Sequence, residues 1–438
     1  MNNVPPAGTP DACSNFCAPT SSAADLNQEC FCLAVDPATL RGELEVLLAA
    51  QGLPGKLAAT HPNLFSALPV YVSRQHIEQV RGIVAAIEEV TALAAYQSAV
   101  LTWAPEIASF DPGSPGGLLG FDFHLGAGGP RLIEINTNPG GVLLNALLGQ
   151  AQRACMADFA IAPTDASRVE AAVMDTVLSE WARSGSTAPS GLIAIVDESP
   201  EQQYLYPEFL LYQKLFQRNG YRSEICAPEA LVLDQDRLWL RNEPVHFLYN
   251  RLTDFSLQKT AHAAIRSAYL AGGVALSPHP RAHALYADKR NLSVLGSLDF
   301  LRASGASQVS IDALMAGVPR TQLLTPDNRE AMWAHRGRLF FKPAAGFGSK
   351  ASYRGDKLTR KVWDQIATGS YVAQDLVPPS ERLPGKGAAP LKLDIRCYAY
   401  RGNVLLFAAR MYQGQTTNFR TTGGGFAPVL MEGSAADA

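Results

Sequence analysis

The sequence predicts a mixed α/β protein in which an antiparallel sheet core is joined to a three-layer α/β unit. Three observations carry that expectation. Leu118-Leu-Gly-Phe-Asp-Phe-His124 and Arg131-Leu-Ile-Glu-Ile-Asn136 read as strands separated by the turn cluster Gly126-Ala-Gly-Gly-Pro130, the pattern of a hairpin. Gly191-Leu-Ile-Ala-Ile-Val196 is a short apolar run of the kind found in parallel strands covered on both faces, and a helix-like stretch from Tyr206 to Asn219 follows it and stops at Gly220. Arg338-Leu-Phe-Phe-Lys342, Tyr371-Val-Ala-Gln374 and two strands around the Arg401-Gly-Asn403 turn add antiparallel pairing toward the C-terminus.

Taken in chain order, residues 1–36 are rich in Pro, Ala, Ser, Asn and Asp without a clear period, and are expected to form a flexible extension. Residues 37–160 begin with helical patterning. Ile77, Val80, Val84, Ile87 and Val90 recur at spacings of three and four between His76 and Leu93, which makes that stretch an amphipathic helix with one buried face. The hairpin follows. After a polar linker near Ser184 to Ser190, alternating β and α patterns place the three-layer unit at residues 161–280. Residues 281–430 hold the later strands and their intervening helices, and 431–438 form a second flexible tail.

Length and composition bound the function. A chain of 438 residues is long enough for two to four packed units with a cleft between them. Apolar residues make up 47% and charged ones 18%, which excludes disorder over most of the chain. Thirty-seven Lys+Arg against 40 Asp+Glu leave a net charge of −3, too little field to draw the molecule to nucleic acid or to an anionic membrane. No run approaches the roughly 20 apolar residues of a membrane span, and the N-terminus lacks a signal-peptide pattern, so the expected location is cytoplasmic. Seven cysteines, an odd and sparse set, argue against a disulfide framework. Cys13, Cys17, Cys30 and Cys32 cluster early and fit either incidental thiols on a tail, a four-thiolate zinc site of unusual spacing, or a tail that docks in the cleft. Cys226 and Cys397 have apolar strand neighbours and are expected in the core.

Three constellations carry chemistry. Alternation puts Glu134 and Asn136 on one face of their strand, and the partner strand can present Asp122 beside them; two carboxylates and an amide oxygen suit Mg²⁺. The same residues also fit a polar strand edge ahead of the Asn138-Pro-Gly-Gly141 turn. Phe341-Lys-Pro-Ala-Ala-Gly-Phe-Gly-Ser-Lys350 delivers Lys342 and then a glycine-containing loop whose N–H groups suit phosphates, although no Walker A pattern occurs and an ordinary turn would read alike. Asp394 and Arg396 share a face and Arg410 lies on the return strand, so two guanidiniums can converge on anionic oxygen or simply pair across the sheet.

Together these motifs resemble the ATP-grasp family, in the circularly permuted order of eukaryotic glutathione synthetase and related carboxylate-amine ligases. Leu132-Ile-Glu-Ile-Asn-Thr-Asn-Pro-Gly140 is similar to the metal-binding strand that comes last in D-alanine:D-alanine ligase, whereas here it precedes Lys342 and Asp394-Ile-Arg396. The resemblance spans roughly residues 110 to 430. It implies an ATP-grasp core built from residues 37–160 and 281–430, with Mg²⁺ held by Asp122, Glu134 and Asn136. It further implies nucleotide contacts from Lys289, Lys342, Gly346, Gly348 and Ser349, and a hinge strand at Tyr371-Val-Ala-Gln-Asp-Leu-Val377 in which Gln374, Asp375 and Leu376 approach the adenosine. Asp394, Arg396, Arg410 and Arg420 resemble the series that holds phosphate and carboxylate in bacterial glutathione synthetase and ribosomal-protein glutamate ligases, and Gly423-Gly-Gly425 resembles a closing loop. One departure is plain: the glutamate that follows the loop lysine in eukaryotic glutathione synthetase corresponds to a position near Gly346, so a metal ligand is missing here.

The activity implied is ATP-dependent amide formation through an acyl phosphate, joining a small-molecule or peptide carboxylate to an amine, with ATP and Mg²⁺ as cofactors. A homodimer stays open. Two readings from other classes are an ATP-binding regulatory or scaffold protein without ligase activity, and an ATP-grasp phosphotransferase, for which His124 is a candidate acceptor while no histidine follows His335.

Overall fold

The computed structural model describes residues 22–30, 35–53, 57–126, 128–155, 166–185, 191–346 and 351–431. In chain order the strands are β1 (Val70–Val72), β2 (Leu119–Gly126), β3 (Gly129–Asn136), β4 (Leu192–Val196), β5 (Arg222–Cys226), β6 (Leu231–Asp234), β7 (Arg237–Leu240), β8 (Glu243–Asn250) and β9 (Ala275–Ser277). They continue with β10 (Thr321–Leu323), β11 (Leu339–Pro343), β12 (Tyr353–Arg354), β13 (Tyr371–Asp375), β14 (Ser380–Arg382), β15 (Leu391–Tyr400), β16 (Asn403–Tyr412) and β17 (Gly425–Met431).

Among the described residues they form three sheets. The largest runs β1-β17-β16-β15-β2-β3, with β14 on β15; its long pairs are antiparallel, and the early hairpin β2-β3 is joined to the late hairpin β15-β16 through β2 against β15. One face is covered by the helix Arg74–Thr91, capped at its start by the Ser73 hydroxyl, whose Ile77, Val80, Val84, Ile87 and Val90 are all buried in a cluster with Phe121, Phe123 and Ile395. The second sheet, β5-β4-β8-β7-β6 with β9 on β8, has a parallel centre: β4 pairs in parallel with β5 and β8. Every residue of β4 is buried, which explains its continuous apolar run. A small antiparallel sheet, β10-β13-β11-β12, packs on Trp363 and Ile366 of the helix Arg360–Ile366.

The first two sheets meet at the turn after β3. Gly141 has φ of +104°, a conformation that side chains disfavour, and a Cβ there would lie 2.3 Å from the Phe426 ring. From this turn the helix Val142–Cys155 departs, and its first N–H groups are met by a carboxylate from the other unit: Glu208 accepts from Gly141 N at 2.7 Å and Leu143 N at 3.1 Å.

The N-terminal expectation is corrected in part. Residues 22–30 are not aperiodic: Ala23–Glu29 is a helix with a capping box between Ser22 and Asp25. It is held by the fully buried Arg382, whose guanidinium donates to the carbonyls of Leu26, Asn27, Cys30 and Pro69. The Cys30 sulfur lies 3.4 Å from the Tyr71 hydroxyl in this contact. Cys13, Cys17 and Cys32 lie outside the described residues, so the four-thiolate reading is not carried further. Cys226 and Cys397 are buried, and burial pushes both thiols up, that of Cys226 to about 12.

Candidate active site

Between the small sheet and the hairpin β2-β3 lies a cleft of about 360 Å³. Antiparallel register sets Asp122 opposite Glu134 and Gly120 opposite Asn136, so the three polar residues of the hairpin share one face, as alternation requires. All three line the cleft, with Lys289, Lys342, Arg396 and Arg410 around them.

The lysines come from two directions. Lys342, on β11, is buried and donates to the carbonyl of Ile133 at 2.5 Å and to Gln374 Oε1 at 2.8 Å. Burial pushes its ammonium down to about 8, and Lys289 adds to that while Glu134 and Asp122 oppose it. Lys289, just ahead of the helix Asn291–Leu295, pairs with Glu134 at 3.1 Å and donates to Gly346 O at 2.9 Å. Gly346 therefore borders the site; Gly348 and Ser349 lie outside the described residues.

The arginines converge as alternation suggested, but on a protein carboxylate. Arg396 makes a two-pronged contact with Asp122, Nε to Oδ1 and Nη2 to Oδ2, each at 2.7 Å, while Arg410 reaches Asp122 Oδ2 at 2.9 Å and Asp394 Oδ1 at 2.6 Å. Burial pushes the Asp122 carboxyl up, but the two guanidiniums outweigh it and hold the group down at about 2. Asn136 Nδ2 also donates to Asp122, at 3.1 Å.

This corrects the expected metal set. Both Asp122 oxygens already accept charged or amide donors, so Asp122 orients arginines and does not fit a metal. Glu134 and the Asn136 side-chain oxygen do fit a hard cation: both line the cleft on one strand face, and Asn136 spends its amide nitrogen on Asp122. Asp394 is likewise corrected: it is fully buried, accepts from Arg410 and Thr417, and does not line the cleft. Arg420 is exposed and stands apart from it. Gln374, Asp375 and Leu376 line the cleft. However, the N–H groups of Asp375 and Leu376 donate to the carbonyls of Arg320 and Arg338 at 2.8 Å each, so those N–H groups are not offered to a base.

Several participants were not singled out by the sequence. Phe340, Tyr412, Thr416, Thr417 and Phe419 line the cleft. His124, which the sequence did offer as a candidate acceptor, lines it too, with Nδ1 2.8 Å from the Val377 carbonyl, and burial pushes its imidazole down. At the carboxyl end of β8, Arg251 is buried between the Phe209 and Tyr249 rings and bonds Asn138 and Pro139 of the turn after β3. It supports the turn and does not itself line the cleft.

No protein-family model matches the chain, and no curated protein matches it in sequence. Its structure is similar to that of a glutathione synthetase-like effector from Globodera pallida, with a TM-score of 0.57 at 13% identity over 91% of this chain and 98% of that one. Looser similarities are to a gamma-glutamylcysteine synthetase-like protein from Methylobacillus flagellatus KT (TM-score 0.46, 13% identity, 80% of this chain and 87% of that one) and to the ATP-grasp ligase PsnB (TM-score 0.32, 15% identity, 57% and 79%). These two superpose too loosely to carry an argument. With a TM-score above 0.5 over nearly the whole of both chains, this protein shares the fold of the glutathione synthetase-like effector.

Proposed function

We propose that the protein is an ATP-dependent carboxylate-amine ligase that forms an amide through an acyl phosphate, with its ATP-grasp elements in permuted order. The observation that carries the reading is the convergence of Lys289, Lys342, Arg396 and Arg410 with Glu134 and Asn136 in one cleft bordered by the end of β13. A carboxylate cannot expel hydroxide, so an oxygen of the substrate carboxylate attacks the γ-phosphorus of ATP, the bond to the bridging oxygen breaks, and ADP leaves. The amine nitrogen then attacks the acyl carbon, its carbon–oxygen bond to phosphate breaks, and the proton shed by nitrogen passes to solvent.

Lys342 and Lys289 neutralise the phosphate chain from the two sides of the cleft. Arg396 and Arg410, fixed in orientation by Asp122 and Asp394, offer their remaining N–H groups to the transferred phosphoryl group and the carboxylate. Their anchoring matters because donors already held in place need no reorganisation when charge develops. Glu134 and Asn136 would hold Mg²⁺, which when bound screens phosphate charge. The walls contributed by Phe340, Tyr412 and Phe419 exclude water from the acyl phosphate.

The test is product analysis with pools of carboxylates and amines. ADP, phosphate and an amide in equal amounts support the reading; hydroxylamine added in place of the amine should capture the acyl phosphate as a hydroxamate. His124 in the cleft favours a phosphotransferase as second reading, and phosphohistidine formed without amide would select it.

A further inference from the structure

A second cavity, of about 510 Å³, lies beside the cleft between the end of the helix Pro37–Ala50 and the start of the helix Tyr206–Arg218. Leu48, Leu53 and Leu57 form one wall, Pro207 and Leu210 the other. The pocket opens to solvent, and its volume lies in the range of ligand pockets. Its walls hold neither lysine nor arginine, and the sole histidine among them, His61, is pushed toward neutrality by burial, so nothing there attracts phosphate. What it offers is apolar surface.

An aromatic pair connects the border of the cavity to a wall of the cleft. Tyr204, on its border and 39% exposed, stacks on Phe419 with ring centroids 5.4 Å apart, and packs on His61 at 4.8 Å. Phe419 is itself a wall of the cleft and belongs to the segment that carries Thr416 and Thr417. A molecule with its reacting group near Arg410 and a side chain turned past Phe419 would enter the cavity.

We infer that this cavity receives the large apolar side chain, aromatic or branched aliphatic, of an amino acid or short peptide that is a substrate of the ligase, an inference that rests on the function proposed above. Either end of such a molecule can be the one that reacts. N-acetyl-L-phenylalanine keeps only the carboxylate and L-phenylalaninamide only the amine, so the two probes separate the cases.

Calorimetry on the full chain, saturated with ATP analogue and Mg²⁺, tests it. One of the two probes should bind at least about tenfold tighter than its glycine counterpart, the scale expected for burying a phenyl ring. Thr60→Trp, at the exposed rim, and Leu210→Trp, from the opposite wall, should each abolish that preference and leave nucleotide affinity unchanged. The inference fails if the folded chain binds the nucleotide but neither probe better than glycine, or if both variants keep the preference. A chain that binds a probe but no nucleotide refutes the ligase reading and, with it, the cavity's role as a substrate site.

Discussion

Replacing Asp122 by Asn removes the charge that orients both arginines of the cleft. The carboxylate is 1% exposed and meets Arg396 and Arg410 at 2.7 to 2.9 Å. Removing one member of a buried ion pair costs about 3–5 kcal/mol, because the partner is left buried and uncompensated. Arg410 keeps Asp394, which puts the expectation near the lower end, about 3 kcal/mol. Part of this depends on pH. The folded carboxyl stands at about 2 against an ordinary 3.8, a difference of about 2 kcal/mol. Since the folded value is depressed, this contribution is present above about pH 4 and is lost as pH falls toward 2. Urea unfolding followed by tryptophan fluorescence, at pH 7 and in steps below pH 5, should show the Asn variant weaker by about 3 kcal/mol at pH 7 and the gap narrowing by about 2 kcal/mol in acid. A variant within 1 kcal/mol of the parent at pH 7, or a gap that does not change with pH, refutes the assignment of Asp122 as the anchor of the two arginines.

Nucleotide binding should take up a proton at alkaline pH: the buried Lys342 stands at about 8, and phosphate charge raises it, so at pH 8.5 it is largely neutral when empty and charged when occupied. Calorimetry in buffers of different ionisation enthalpy should give uptake approaching one proton there and little at pH 6.5; a buffer-independent heat contradicts this. Glu134→Gln should keep the fold but weaken the Mg²⁺-dependent part of nucleotide binding by at least about tenfold, on the scale of one lost carboxylate ligand; titration with and without Mg²⁺ decides. Arg382→Leu strips donors from the carbonyls that hold helix Ala23–Glu29, and alkylation of Cys30, read by peptide mass spectrometry, should speed up well beyond that of the parent. Glu208→Ala leaves the buried Gly141 and Leu143 N–H groups without their acceptor and should cost about 1–2 kcal/mol in unfolding experiments, the range of a lost helix cap.

Local patterns made much of this molecule legible. Period-two alternation places Glu134 and Asn136 on a common face, the short hairpin lets Asp122 join them, and period-3.6 spacing identifies the buried side of the helix Arg74–Thr91. The contacts that sequence left hidden are those set by register between distant segments. Asp122 pairs with Arg396 across 274 positions, and nothing local says that β2 and β15 are neighbours, so a carboxylate that looked like a cation ligand proves to be an arginine anchor. The helix Ala23–Glu29 was missed for the same reason: its surroundings are poor in apolar residues, and what holds it is Arg382, more than 350 positions away. Arg420 illustrates the converse, since a loop residue carries no period from which its direction can be read.

The central claim is that the cleft binds Mg-ATP through its lysines. Calorimetric titration of Mg-ATP into the native chain and into Lys342→Ala, each checked for folding by circular dichroism, tests it most directly. The account predicts micromolar binding by the native chain that is lost or at least about tenfold weaker in the variant, as expected for removing a charge-assisted contact of about 1.5–3 kcal/mol. A folded native chain that does not bind Mg-ATP, or a variant that binds it equally well, would contradict it.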